Sequence, residues 1–217
     1  MTTKIPYTEP DYLFPPRPKR KIKPSNLNKY ETGEYLLQPK MDGSCAVIFT
    51  DGVRVIVKSR HKRSFSRFKM NTREIKEAHR GEPGSWMVFV GEYMNKSRQD
   101  ELGCVWNHKL VIFDILVYNS ELLLGMSTID RMRLLEEVYP ERPFKPHLSK
   151  ISRNVWRVKS IYESDGYLDK FNKIKSVDMF EGFVLKKMKA VLDPPFRNDN
   201  NSTSQLKVRK PTKNYRY

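Results

Sequence analysis

Short apolar runs broken by turn formers occupy the middle of the chain. "EYLLQPK" (34–40), "SCAVIFTDGVRVIVKSR" (44–60), "WMVFVGEYM" (86–94) and "KLVIFDILVYN" (109–119) are rich in β-branched and aromatic residues and predict strands. Asp51-Gly52 predicts a hairpin turn inside the second run. Helical spacing falls between strands: "NTREIKEAHR" (71–80) is short, and "STIDRMRLLEEVYP" (127–140) has a Ser or Thr cap, Leu134, Leu135 and Val138 along one side, and Pro140 as a stop. A third helix is expected across "SIYESDGYLDKFNKIKS" (160–176). "MFEGFVLKKMKAVL" (179–192) reads as a strand pair or bent strand, "DPPFRNDNNSTS" as a polar loop, and "QLKVRKP" (205–211) as a last strand. Residues 1–27 are proline-rich and basic, which predicts an extended arm rather than helix or sheet, followed by one domain over 28–217. The expected class is α+β, with antiparallel sheets flanked by helices.

Charge narrows the partners. Lys and Arg number 41 against 25 Asp and Glu, a net +16, which favours a polyanion and makes nucleic acid the first expectation. At 38% hydrophobic and 12% aromatic residues the chain can bury a core. No apolar stretch is long enough for a membrane span, and the N-terminus lacks a signal-peptide core. Cys45 and Cys104 lack zinc-site spacing and read as reduced thiols, so a cytoplasmic monomer with no membrane partner is expected, in host cytoplasm if the chain is viral.

One lysine stands apart from the rest. Lys40 lies between apolar strand-like runs and is followed by Met-Asp-Gly. A lysine becomes a nucleophile when desolvation or neighbouring positive charge favours its neutral amine. Further along the chain come "SR" at 59–60, "VGEY" around Glu92, "VIFDIL" around Phe113, "EGFVLK" from Glu181 to Lys186, and "LKVRK" at 206–210. Each taken singly has an ordinary explanation as strand end, core or solvated charge. In this order, over roughly residues 36 to 210, they resemble motifs I, Ia, III, IIIa, IV and V of the covalent nucleotidyltransferases, which include ATP-dependent DNA ligases, RNA ligases and mRNA capping enzymes.

The resemblance implies an ATP-grasp-like adenylation domain in which Lys40 takes AMP from ATP as a phosphoramidate. Lys207 and Arg209 would reach the α-phosphate, and their charge would favour the neutral amine of Lys40. Glu181, assisted by Asp42, would hold Mg²⁺, with Mn²⁺ a possible substitute. Glu92 would accept from the ribose, Phe113 would stack on the purine, and Gln38 would read the adenine amino group where many DNA ligases have glutamate. Arg60 and Lys186 would face the same nucleotide.

Departures from the family pattern are also visible. Cys45 occupies the position where arginine or asparagine is usual, and motif V carries Lys-Val-Arg rather than Lys-x-Lys. Only "PTKNYRY" follows motif V, so the expectation is a bare catalytic domain with no C-terminal oligonucleotide-binding barrel. Basic segments would then hold the nucleic acid: Arg17, Lys19, Arg20, Lys21 and Lys23 in the arm, and Lys62, Arg63 and Arg67 in "KSRHKRSFSRFK". The expected activity is ATP-dependent sealing of a DNA nick, with RNA or RNA-containing duplex as the second substrate. A guanylyltransferase and an idle nucleic-acid-binding module rank below it.

Overall fold

The structure is a computed structural model that describes residues 5–65, 68–142, 145–195 and 201–211. Among the described residues fourteen strands run in chain order: β1 (Ile5–Pro6), β2 (Arg17–Lys21), β3 (Tyr35–Met41), β4 (Ser44–Thr50), β5 (Val55–Ser59), β6 (Met87–Met94), β7 (Arg98–Gln99), β8 (Val105–Trp106), β9 (Lys109–Tyr118), β10 (Glu121–Leu122), β11 (Leu148–Lys150), β12 (Val155–Val158), β13 (Phe180–Lys187) and β14 (Asn201–Arg209). Helices α1 (Thr72–Lys76), α2 (Thr128–Val138) and α3 (Tyr167–Ile174) lie between them, and a 3-10 helix spans Pro24–Tyr30.

Two sheets make the frame. The larger has eight strands, with the path β1-β10-β9-β6-β4-β5 and the β11–β12 pair added beside β9; the smaller runs β2-β14-β13-β3. The apolar runs at 86–94 and 109–118 become the neighbouring strands β6 and β9, with side chains buried along both faces. One core forms on the larger sheet around Ile48, Phe89 and Leu116, and a second fills the smaller sheet around Phe171, Phe183 and Leu206. Phe113 packs against both.

The helices follow local chemistry. Ser127 caps α2, its Oγ accepting from the Asp130 N–H at 3.2 Å, and the helix ends before Pro140. The third helix is shorter than expected. Gly166, in the left-handed region at φ 60°, ends the "ESDG" turn, so helix begins only at Tyr167. The segment 179–192 holds a single long strand with a register shift between Phe180 and Gly182, in place of a strand pair.

Two expectations are corrected. The sheets are not purely antiparallel, because β12 joins β9 and β2 joins β14 in parallel. The proline-rich N-terminal stretch is extended, but residues 17–21 are a sheet strand rather than a loose arm. Pro18 fits there because β2 is an edge strand, where a missing N–H is tolerated.

Candidate active site

Strand β3 opens the site. It pairs with β13, and its alternation directs Gln38 and Lys40 to the same side. The turn after Lys40 is tight because β4 must then pair with β6. A Cβ on Gly43 would lie 2.6 Å from the Tyr93 carbonyl oxygen, so the glycine of Lys-Met-Asp-Gly permits this approach.

Facing parts of both sheets enclose a cavity of about 680 Å³, a size suited to a nucleotide. Gln38, Lys40, Arg60, Glu92, Phe113, Glu181, Lys186, Lys207 and Arg209 all line it, although they come from six separate segments of the chain. Lys40 and Arg209 both form ion pairs with Glu181 Oε2, the second at 2.5 Å. Burial pushes the Glu181 carboxyl up, but Lys40 and Arg209 outweigh it and hold the group below its ordinary range. Lys207 is depressed by burial and then by the cations Arg209, Lys40, Lys21 and Arg17 around it. Its ammonium donates to the Pro18 carbonyl at 3.2 Å, so β2 supports the base of this cluster.

Glu92 lies across the cavity. Burial pushes its carboxyl up to about 7; Lys40 pulls it down while Glu181 and Asp42 raise it. Cys45 stands opposite Glu92 in the β4–β6 register. Burial, then the Glu92 charge, pushes its thiol up to about 12, so it stays protonated at neutral pH.

Lys186 is buried, and its Nζ donates to the Phe113 carbonyl at 3.0 Å and approaches Asp114 Oδ2 at 3.4 Å. Asp114 in turn accepts from Arg131 Nε at 3.0 Å and Nη2 at 3.3 Å. This buried cluster fixes Lys186 and the backbone that carries Phe113.

The other residues singled out in the sequence sort by position. Arg17 and Lys19 reach the cavity; Arg20 and Lys21 project from the exposed edge of β2, beside Lys23; Lys62 and Arg63 lie in the turn after β5. Arg67 lies outside the described residues. Asp42 pairs with Arg98 and does not line the cavity. Among the described residues no cluster of three or more His, Cys, Asp and Glu could hold a metal. Hard oxygen donors are nevertheless present, and Mg²⁺ commonly binds through one or two carboxylates with phosphate and water completing its shell, so Glu181 and Asp42 fit it chemically.

Sequence reasoning missed several residues. His61, read as a plain surface residue, lines the cavity and accepts from Arg60 Nε at 3.0 Å. Arg98, which pairs with Asp42, and Ser160, which accepts from Gln38 Nε2 at 3.1 Å, carry no motif that marks them.

No protein-family model matches the sequence, and no curated protein is similar to it. Solved structures do match. A mycobacterial DNA ligase D complexed with ATP superposes with a TM-score of 0.61 at 16% identity, covering 93% of this chain and 61% of that one. A Lig E DNA ligase, described as binding DNA with a minimal scaffold, gives 0.54 at 17% identity, covering 92% and 69%. The ATP-dependent DNA ligase of bacteriophage T7, in complex with ATP, gives 0.50 at 13% identity, covering 88% and 67%. The chain thus spans about 61% of the length of the ligase D structure. What it shares with these proteins is the fold of the nucleotidyltransferase domain of ATP-dependent DNA ligases.

Proposed function

We propose that the chain is the catalytic domain of an ATP-dependent polynucleotide ligase, with nicked DNA as first substrate and RNA-containing duplex as second. The observation that carries this reading is the convergence of Lys40, Glu181, Lys207 and Arg209 in one cavity that also presents Phe113 and Gln38. In the first step the Lys40 amine attacks the α-phosphorus of ATP. A nitrogen–phosphorus bond forms, the bond to the bridging oxygen breaks, and pyrophosphate leaves. Triphosphate oxygens would replace Glu181 as the partner of Arg209 and be met by Lys207 beside it, giving the migrating charge fixed cations within a partly dry site. Phe113 would stack on the purine and Glu92 would accept from the ribose. Glu181 would hold a divalent cation, with Asp42 assisting only if it leaves Arg98; the cation when bound supplies further neutralisation of phosphate charge. AMP then passes to a 5′-phosphate, and attack by the adjacent 3′-hydroxyl seals the break and releases AMP.

The test is incubation with α-labelled ATP or GTP and Mg²⁺, followed by denaturing separation. Label from ATP should remain on wild type and be absent from Lys40→Ala. Label from GTP alone would move the reading to a guanylyltransferase. No label from either, on folded protein free of bound AMP, would leave a nucleic-acid-binding module.

A further inference from the structure

One wall of the cavity is built by the stretch that leads into β2. Residues 14–19 all line it. The stretch is tied to both sheets. At its start the Tyr12 hydroxyl donates to the Ser59 carbonyl at the end of β5, at 2.8 Å, and the Tyr12 and Phe14 rings meet edge to face at 4.7 Å. At its end Arg17 Nε donates to Asn201 Oδ1 of β14 at 2.7 Å, Lys207 Nζ donates to the Pro18 carbonyl at 3.2 Å, and the Ile22 N–H donates to the Lys207 carbonyl at 3.0 Å. Pro15, Pro16 and Pro18 fix φ between these ties, so little backbone freedom is left to lose when a ligand binds. Strand alternation places Arg17 and Lys19 on the same face of β2. The Arg17 charge is felt on both sheets. After burial, Arg209, Lys40 and Lys21 it helps depress Lys207, and it opposes the upward shift that burial and then Glu92 impose on Cys45 of β4.

The order of strands gives these two cations a place in the reaction. The smaller sheet runs β2-β14-β13-β3, so Lys40 stands on one edge strand, Arg17 and Lys19 on the other, and Lys207 and Arg209 on β14 between them. At the usual strand spacing the two edges are about 14 Å apart. Displacement at phosphorus runs in line, the leaving oxygen departing on the side opposite the attacking atom. An α-phosphorus attacked by the amine of β3 and met by the cations of β14 therefore sends its leaving group toward β2. As the nitrogen–phosphorus bond forms, the Lys40 nitrogen gives up a proton to water. The electron pair of the breaking phosphorus–oxygen bond stays with the β-phosphate, which gains negative charge. Cations already fixed in place meet that charge without reorganisation. The cavity is rich in them, with seven Lys and Arg lining it against two carboxylates, Glu92 and Glu181.

We propose that Arg17 and Lys19 bind the β- and γ-phosphates of the nucleotide and stabilise pyrophosphate as it leaves, so that the N-terminal stretch serves the nucleotide step rather than the polynucleotide. This rests on the nucleotidyltransferase reading of the cavity. The two side chains then distinguish ATP from AMP, because AMP has no phosphate beyond the one at β14. They also promote the reverse step, in which a pyrophosphate oxygen attacks the lysine-bound AMP, the nitrogen–phosphorus bond breaks, the Lys40 nitrogen regains a proton and ATP re-forms.

The experiment is equilibrium binding of ATP and of AMP by calorimetry on AMP-free protein, without divalent cation so that no transfer occurs, for wild type, Arg17→Ala, Lys19→Ala and Lys19→Arg. Pyrophosphate-driven release of AMP from labelled protein is then followed with Mg²⁺ restored. Each alanine variant should weaken ATP about tenfold, leave AMP affinity unchanged and slow the release by a similar factor, whereas Lys19→Arg, which keeps the charge, should retain both. Unchanged AMP affinity shows that the cavity is intact, so misfolding cannot imitate this result. Three results would overturn the inference: ATP and AMP weakened in parallel, pyrophosphate-driven release unaltered, or ATP binding untouched by both alanine variants, which would return the two residues to the polynucleotide surface. Covalent labelling on the same samples keeps the ligase reading separate. Selective loss of ATP affinity in a protein never labelled at Lys40 would support the phosphate contacts and remove the enzyme. Label on wild type with ATP affinity indifferent to both residues would do the reverse.

Discussion

At Glu92, burial pushes the carboxyl up to about 7, with Glu181 and Asp42 adding to it against the pull of Lys40. The folded state therefore holds this proton more tightly than the unfolded chain does, where the ordinary value is 4.5. Such a group contributes stability below its unfolded value and loses it as pH rises through its folded value. Urea midpoints should show wild type losing stability relative to Glu92→Gln between pH 4.5 and about 7, with the difference levelling above that; a pH-independent difference would contradict the assigned shift. Asp114 is the opposite case. Burial raises its carboxyl, but Arg131 and then Lys186 overcome this and hold it below its ordinary range. Asp114→Ala would strand two buried cations, and denaturant unfolding should record a loss of about 3–5 kcal/mol. Lys40, Glu92, Glu181, Lys207 and Arg209 could be picked out in the sequence because each sits in a strand with a recognisable neighbour pattern. Ser160 and Met132 could not, since they lie 122 and 94 residues from Gln38 and only folding makes them its partners.

Among the elements, β13 carries the most constrained point. Gly182 has φ 139°, and a Cβ there would lie 2.2 Å from the Val208 carbonyl oxygen of β14. The irregularity beside it changes how Glu181 is presented to Lys40 of β3 and Arg209 of β14. Gly182→Ala should cost about 2 kcal/mol or more in urea unfolding. It should also lower Lys40 labelling under conditions where the protein remains folded; unchanged labelling would separate the bulge from the site. The "EGFVLK" glycine was visible as part of a motif, but its reason was not. The constraint comes from β14, which begins more than a dozen residues further along the chain, at Asn201. The shorter third helix and the β11–β12 pair escaped pattern reading for a related cause: short strands in a mixed sheet are set by their neighbours more than by their own periodicity.

For the whole molecule, the placement of charge follows the meeting of the two sheets. Arg17 and Lys19 of β2 reach the cavity, while Arg20 and Lys21 continue outward along the exposed edge. A polynucleotide laid along that edge would bring one end to Lys40. If β2 makes phosphate contacts, nucleic-acid affinity measured against salt should lose about 0.9 in log-log slope for each contact removed. The Arg20→Ala variant should therefore flatten the slope while leaving Lys40 labelling by ATP intact. An unchanged slope would remove this edge from the nucleic-acid surface.

The sequence by itself determined the strand-rich middle, the capped helix before Pro140, the strong positive charge and the order of the cavity-lining residues, because each depends on neighbours within a few positions. Tertiary structure decided that β2 enters a sheet in parallel, that Asp42 turns to Arg98, that Lys40 rests on Glu181, and that Ser160 and Met132 become neighbours of Gln38. Those outcomes depend on which distant strands pack together and on which buried polar atoms must find partners, and burial is a property of the assembled fold alone.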